Sequence, residues 1–145
     1  MYSFGYKSKN HLFKLHKDLQ LVLGEAIHYV DFSIIESDRD KDTQDRYFNE
    51  KKSKLKWPNS KHNLKLGQVK SDAADILPYP SGWPNKDMKK WAQFAYVIGV
   101  IRGIAEQMYK EKKISTRLRF GFDFNKDGRL FNDRFIDAPH VERGA

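Results

Sequence analysis

The chain has 145 residues, of which 39% are hydrophobic and 14% aromatic. This length and composition exclude a disordered chain and allow one domain with a hydrophobic core, so we treat residues 1–145 as a single domain. Cysteine is absent, which excludes disulfides and leaves histidine and carboxylate side chains to form any zinc site.

The charge is basic, with 27 Lys and Arg against 19 Asp and Glu and a formal net charge of +8. Such a balance favours anionic partners, whether nucleic acid, anionic lipid or the acidic polymers of a cell envelope.

The N-terminal residues contain no apolar segment of the kind found in secretory signal peptides. The longest apolar stretch, 94–101, is far below the ~20 residues that span a bilayer. We therefore expect a protein made in the cytoplasm that does not insert stably into membranes.

The first predicted element is a helix. Apolar residues recur at three- and four-residue spacing from Leu12 to Val30, with Asn10 as the N-cap and Gly24 as a point where the helix could divide. Residues 32–36 then predict a short buried strand. Three histidines in or near the helix are expected to have surface or packing roles: His11, His16 and His28.

The remaining elements indicate an α+β fold. Residues 43–49 predict a short helix, and the clearest helix covers 87–110, where apolar residues form one wide face. The other predicted segments are a basic loop at 51–56, a rigid turn at 78–84, and strands at 73–77, 117–122 and 140–142. Helices and strands are segregated rather than alternating as βαβ units, which favours the α+β class.

His62, Asp75 and His140 are candidate ligands of a zinc ion. Two imidazoles and one carboxylate leave a fourth position for water, as in catalytic zinc sites. Zinc lowers the pKa of that water from about 15.7 to about 7 and so supplies hydroxide at neutral pH. Asp137, three residues before His140, is a candidate general base. Asp72 is a rival to Asp75 as the carboxylate ligand.

The strings around these residues resemble the two zinc motifs of the D-alanyl-D-alanine carboxypeptidase and L-alanyl-D-glutamate endopeptidase family. That family includes vancomycin-resistance D,D-peptidases and phage endolysins. The first string is SKHN at 60–63 followed by SDAADILPYP at 71–80, and the second is LRFGFDF at 118–124 followed by DAPHVE at 137–142. The N-terminal half is also similar, so the resemblance covers nearly the whole chain.

The resemblance implies a small antiparallel sheet packed against helices, with zinc in a cleft on the sheet, as in hedgehog and D,D-peptidase domains. It implies three zinc ligands, His62, Asp75 and His140. Asp137 matches the catalytic base and Ser60 a serine near the substrate. Arg39 matches an arginine that supports the substrate and its developing negative charge, for which a guanidinium is a fixed fork of donors.

A second metal site is predicted at DFNKDGR, residues 123–129, which reproduces the start of a calcium-binding loop. Arg134 stands where an EF-hand has glutamate. Some phage members of the family have a similar calcium-responsive loop, and the alternative is an Asx-rich turn. The candidate calcium ligands are Asp123, Asn125, Asp127, Arg129 and Asp133.

The function that the resemblance implies is zinc-dependent hydrolysis of peptidoglycan stem peptides. Two bonds compete, L-Ala–D-Glu in an endolysin and D-Ala–D-Ala in a carboxypeptidase. We favour the endolysin, because a short basic chain without export signal or wall-binding domain suits a phage lysis enzyme. We expect a monomer that a holin releases from the host cytoplasm to act in the periplasm of a Gram-negative host.

Two other classes of function are weighed against the peptidase. A basic, aromatic patch of the kind that binds nucleic acid would contain Lys51, Lys52, Lys54, Lys56, Trp57 and Lys61. No helix-turn-helix or RNA-binding signature accompanies it, so no nucleic-acid partner is expected. A zinc-binding relative without catalysis, of the hedgehog type, is disfavoured because Asp137 and Arg39 are retained.

Overall fold

The computed structural model describes residues 1–130 and 132–144, which form four helices and one four-stranded sheet. The helices are α1 (Tyr6–Phe13), α2 (Lys17–Ala26), α3 (Lys41–Asn49) and α4 (Met88–Lys110). The strands are β1 (Phe32–Glu36), β2 (Ala73–Pro78), β3 (Leu118–Phe120) and β4 (His140–Arg143). All neighbouring strands are antiparallel, in the order β1-β2-β4-β3. The predicted α+β class, with a small antiparallel sheet against helices, is therefore confirmed.

The sheet has one face on the helices and one face open to a cleft. Side chains alternate between the two faces of a strand, and one face is apolar and fully packed: Ile34, Ala74, Ile76, Leu118, Phe120 and Val141. Buried residues of α2 and α4 complete this core: Leu19, Val22, Leu23, Phe94, Val97 and Ile101. The opposite face, which we call the site face, carries Asp75, Arg119, His140 and Glu142.

The N-terminal segment differs from the predicted single helix. The helical region begins at Tyr6 rather than near Asn10, and it is interrupted between Phe13 and Lys17 rather than at Gly24. The interruption arises because the backbone around Leu15 pairs with Ser71, where His16 N donates to Ser71 O at 2.8 Å. A long-range hydrogen bond thus overrides a local helical pattern.

The other predicted elements agree closely with the structure. The strand at 32–36 is confirmed, the short helix begins two residues earlier, at Lys41, and β3 is shorter than the predicted 117–122. Helix α4 begins after Asp87, whose carboxylate accepts hydrogen bonds from the N–H groups of Lys89 and Lys90. Within residues 1–130 and 132–144, no helix combines the length and apolarity required to cross a bilayer.

Candidate metal centre and active-site cleft

Two histidines and one aspartate from distant parts of the chain meet on the site face. Asp75 of β2 lies directly opposite His140 of β4, which puts their side chains side by side, and His62 reaches them from a turn. His62 Nε2 lies 3.2 Å from His140 Nδ1 and 3.3 Å from Asp75 Oδ1, and the last two atoms are 3.5 Å apart. Tetrahedral zinc with bonds of about 2.0–2.2 Å requires ligand atoms about 3.3–3.6 Å apart. The three atoms are therefore spaced to hold one metal ion.

The surroundings of Asp75 also fit a cation. Its Oδ1 is buried and accepts no hydrogen bond from the described residues, a costly state for a carboxylate unless a cation is its partner. Burial alone would raise the pKa of Asp75, but the imidazoles of His62 and His140 hold it well below its usual value. Among the residues described, no other group of three His, Asp or Glu side chains is placed to hold a metal.

His62 is oriented by the segment that precedes α3. Its Nδ1 lies 2.7 Å from the carbonyl oxygen of Ser37, which can only accept, so Nδ1 carries the hydrogen and Nε2 has a free lone pair. Arg39 N donates to the His62 carbonyl at 2.8 Å. Within the turn, His62 N donates to Ser60 Oγ at 3.2 Å, and Asn63 Oδ1 accepts from Ser60 N. Ser60, predicted near the substrate, is thus found lining the cleft and supporting the turn.

His140 is oriented by Glu142, which sequence reasoning placed in a strand without giving it a role. His140 Nε2 donates to Glu142 Oε1 at 2.8 Å, which leaves Nδ1 for the metal. Burial alone would lower the pKa of His140, but the carboxylates of Asp75, Glu142 and Asp137 raise it to about 10. The signal in the sequence was the spacing of His140 and Glu142, since residues two apart on a strand share a face.

Glu142→Gln is expected to weaken metal binding at the His62, Asp75 and His140 cluster about 10- to 100-fold, because a neutral partner no longer increases the basicity of His140. The measurement is a competition titration with a chelator of known affinity. Glu111→Gln, an exposed change at the end of α4, is the matched control and should leave the affinity unchanged. Equal affinities for the wild type and Glu142→Gln would contradict this role.

Asp137 faces the cleft beside the metal ligands. Its Oδ2 is 3.9 Å from His140 Nδ1, and its side chain is 38% exposed. Burial raises the pKa of Asp137, and the charge of Asp75 raises it further. A carboxylate of raised pKa beside a candidate metal centre is suited to accept and return a proton.

Gly121 fixes the backbone that carries Asp137 and His140. Gly121 N donates to His140 O at 2.8 Å, and Gly121 O accepts from Asp137 N at 3.0 Å. A Cβ atom at Gly121 would lie 1.9 Å from the Asp137 carbonyl oxygen, so only glycine permits this approach. The motif at 118–124 contains this glycine, but its role depends on a close backbone approach that the sequence does not reveal.

Arg39 lies behind Asp75, with its guanidinium already engaged. Its Nε and Nη2 donate to both oxygens of Glu36, at 2.8 and 2.9 Å, and its Nη1 donates to Gln44 Oε1 at 2.9 Å. A β-bulge after Ile34 places Glu36 beside Asp75, and Arg39 Nη2 is 3.8 Å from Asp75 Oδ2. The structure thus places Arg39 as a support of the ligand Asp75, and its predicted contact with substrate stays a prediction.

Asp72, the rival ligand, lies away from the two histidines. Its Oδ1 accepts a hydrogen bond from Arg143 at 3.0 Å, and its Oδ2 accepts one from Gln68 at 3.0 Å. Asp72 precedes β2, whereas Asp75 is within the strand and opposite His140. The structure therefore brings Asp75 to the metal centre and leaves Asp72 in a separate polar cluster.

The candidate metal centre lies in a cleft of about 1170 Å³ that is lined by both acidic and basic side chains. His11, which the sequence predicted to have a surface or packing role, also lines the cleft. Its Nδ1 lies 2.8 Å from Ser37 Oγ. Several cationic side chains lie around the cleft: Lys52, Lys54, Lys61, Arg119 and Arg134. Three of the lysines that suggested a nucleic-acid patch therefore line the same cleft as the metal centre.

The predicted calcium loop is an Asx-rich turn in which aspartate carboxylates and the Asn125 carboxamide oxygen accept hydrogen bonds from backbone N–H groups. These hydrogen bonds measure between 2.7 and 3.3 Å and join Asp123 to Gly128, Asn125 to Asp127, Asp127 to Arg129, and Asp133 to Phe124 and Asn125. Asp123 Oδ2 is also 3.5 Å from Arg102. Calcium binding by this loop stays a prediction.

Comparison with known proteins identifies the family of the chain and solved structures that share its fold. The model of the family described as phage L-alanyl-D-glutamate peptidase matches residues 1–143. The crystal structure of the Serratia marcescens L-Ala D-Glu endopeptidase ChiX is similar, with a TM-score of 0.67 and 22% sequence identity. That match covers 98% of this chain and 90% of the Serratia chain, and at this identity it shows a shared fold. No curated protein sequence is significantly similar to the chain.

Proposed function

Since the chain belongs to the phage L-alanyl-D-glutamate peptidase family, we propose that it hydrolyses the L-Ala–D-Glu bond of peptidoglycan stem peptides in a zinc-dependent reaction. The observation that carries the proposal is the convergence of three ligand atoms within 4.8 Å of one another at the floor of an open cleft. His62, Asp75 and His140 would hold the ion and leave one position toward the cleft.

Zinc, when bound, would activate a water molecule and polarise the scissile carbonyl group. Asp137 would accept a proton from that water as its oxygen attacks the L-Ala carbonyl carbon, and it would then transfer the proton to the D-Glu nitrogen as the C–N bond breaks. Ser37 and Glu142 keep both imidazoles in the tautomers that ligate a metal. The Arg39 guanidinium, with Nη2 3.8 Å from Asp75 Oδ2, stabilises the charge of that carboxylate.

The proposed setting is the wall of a Gram-negative host, reached from the cytoplasm through a holin-type lesion, with the enzyme acting as a monomer in the periplasm. The family's description as a phage peptidase and the formal net charge of +8 support this setting, because the wall polymer is anionic. Peptidoglycan stem peptides are the proposed partner.

Mass spectrometry of peptidoglycan digested by the protein tests which bond is cut. We expect new peptides that begin with D-Glu, glycan strands that keep only L-Ala, and loss of both products when a chelator removes the metal. Release of terminal D-Ala alone would show the carboxypeptidase activity instead. Unchanged peptidoglycan, from a folded protein supplied with zinc, would contradict the peptidase proposal.

A further inference from the structure

Arg119 is one of three arginines among the described residues that line the cleft, with Arg39 and Arg134, and its surroundings are opposite to those of Arg39. It is the central residue of β3, between the core residues Leu118 and Phe120, so its side chain belongs to the site face. In the pairing of β3 with β4, Arg119 lies directly opposite Glu142. The carboxylate of Glu142 already accepts a hydrogen bond from His140. Arg119 therefore lies next to the metal centre along the sheet.

The guanidinium of Arg119 packs over an aromatic ring and forms no hydrogen bond or ion pair with the described residues. Its Cζ lies 4.7 Å from the centre of the Phe124 ring, and that ring lies 5.8 Å from the imidazole of His140. Its Nε is buried and forms no hydrogen bond with the described residues. Burial raises the pKa of Glu142, but the hydrogen bond and charge of His140 and the charge of Arg119 lower it, so Arg119 acts on this carboxylate through charge alone. A buried donor without an acceptor is unfavourable, so the guanidinium is prepared for an anionic ligand that enters the cleft.

The chemistry of the substrate supplies such an anion at the required place. In the stem peptide D-Glu is joined onward through its side-chain carboxyl group, so its α-carboxylate is free. That carboxylate is on the carbon bonded to the leaving nitrogen, next to the bond that would be cut. A guanidinium placed over an aromatic ring presents a fork of donors that matches a carboxylate in two parallel hydrogen bonds.

We propose that Arg119 binds the free α-carboxylate of the D-Glu residue and thereby selects stem peptides in which this group is not amidated. The inference rests on the proposed function, because it assumes that the L-Ala–D-Glu bond is the one in the cleft. It gives Arg119 a substrate-binding role. Arg39 is less available for that role, because three of its five N–H donors are already paired with Glu36 and Gln44.

The test compares two synthetic peptides, acetyl-L-Ala-γ-D-Glu-L-Lys and the same peptide with D-isoglutamine in place of D-Glu. The wild-type enzyme loaded with zinc should favour the free carboxylate by roughly 10- to 100-fold in kcat/KM, since the amide offers no charge and one acceptor fewer. Arg119→Gln should lower kcat/KM for the acid by about the same factor, mainly through KM, and reduce the preference to about one. The amide peptide should be cut almost as fast as by the wild type.

Two further variants separate a specific contact from a general loss of structure. Arg119→Lys keeps the charge but loses the fork, and it should retain part of the preference. Arg117→Gln is the matched control, because Arg117 pairs with Glu106 at 3.3 Å, is not part of the cleft lining, and should leave the preference unchanged.

Each outcome decides between the two proposals. If the wild type cuts both peptides equally, or if Arg119→Gln slows both by the same factor, the role of Arg119 is overturned while the peptidase function stands. If the zinc-loaded wild type cuts neither peptide, the proposed function itself is overturned and the inference with it.

Discussion

Replacing His62 with alanine is expected to lower kcat/KM for stem-peptide hydrolysis by at least about four orders of magnitude, because the activated water depends on a metal that lowers its pKa from about 15.7 to about 7. Two ligands remain, so the variant should also bind less than a full equivalent of zinc after dialysis. The measurements are peptide hydrolysis and elemental analysis of the same sample. Asp75→Asn, which keeps the shape of the buried side chain, should give the same two losses.

A matched control tests whether losing any histidine, rather than a candidate metal ligand, lowers the activity and the zinc content. His28 is exposed and 3.7 Å from Glu25, so His28→Ala should keep full activity and one zinc per chain. Thermal unfolding of all three variants shows whether each is folded. A folded His62→Ala protein with undiminished hydrolysis would refute the assignment of the metal ligands.

Asp137→Asn is expected to reduce kcat by about 10²- to 10⁴-fold, the usual contribution of a general base, while zinc binding is retained. Asparagine keeps the volume of the side chain but cannot accept the proton from the attacking water. KM should change little, because the lost interaction belongs to the transition state. Steady-state kinetics with elemental analysis would measure both effects.

The pattern expected for Asp137→Asn differs from that of a ligand variant, since activity falls without loss of metal. Asp45→Asn, which removes an exposed i,i+4 pair with Lys41 in α3, serves as its control and should have wild-type kinetics. A kcat within a few-fold of the wild type for Asp137→Asn would exclude Asp137 as the base.

Local patterns in the sequence predicted much of the fold. The strand at β1 was predicted as a short apolar run, and the long helix α4 was predicted because its apolar periodicity and its length agreed. The interruption of the N-terminal helix was missed, since it depends on hydrogen bonds between the chain near Leu15 and Ser71, fifty-six residues away. Local periodicity contains no information about such a contact.

The sequence predicted the part of the candidate site that follows from residue identity in the two motifs, at 60–80 and 118–142. The structure brings His62, Asp75 and His140 together, as those motifs indicated. The contrast between Arg39 and Arg119 was not predictable from the sequence, because it depends on which hydrogen-bond acceptors surround each guanidinium. A β-bulge brings Glu36 to Arg39, whereas the carboxylate opposite Arg119 is already paired with His140.

Anomalous diffraction at the zinc absorption edge, from crystals of the protein purified with zinc, is the most direct measurement of the central claim. We predict one strong peak about 2.0–2.2 Å from His62 Nε2, Asp75 Oδ1 and His140 Nδ1, with a fourth position facing the cleft. A zinc-supplied crystal with no peak among these three atoms, or with its zinc bound elsewhere on the chain, would contradict the metal centre and the peptidase mechanism built on it.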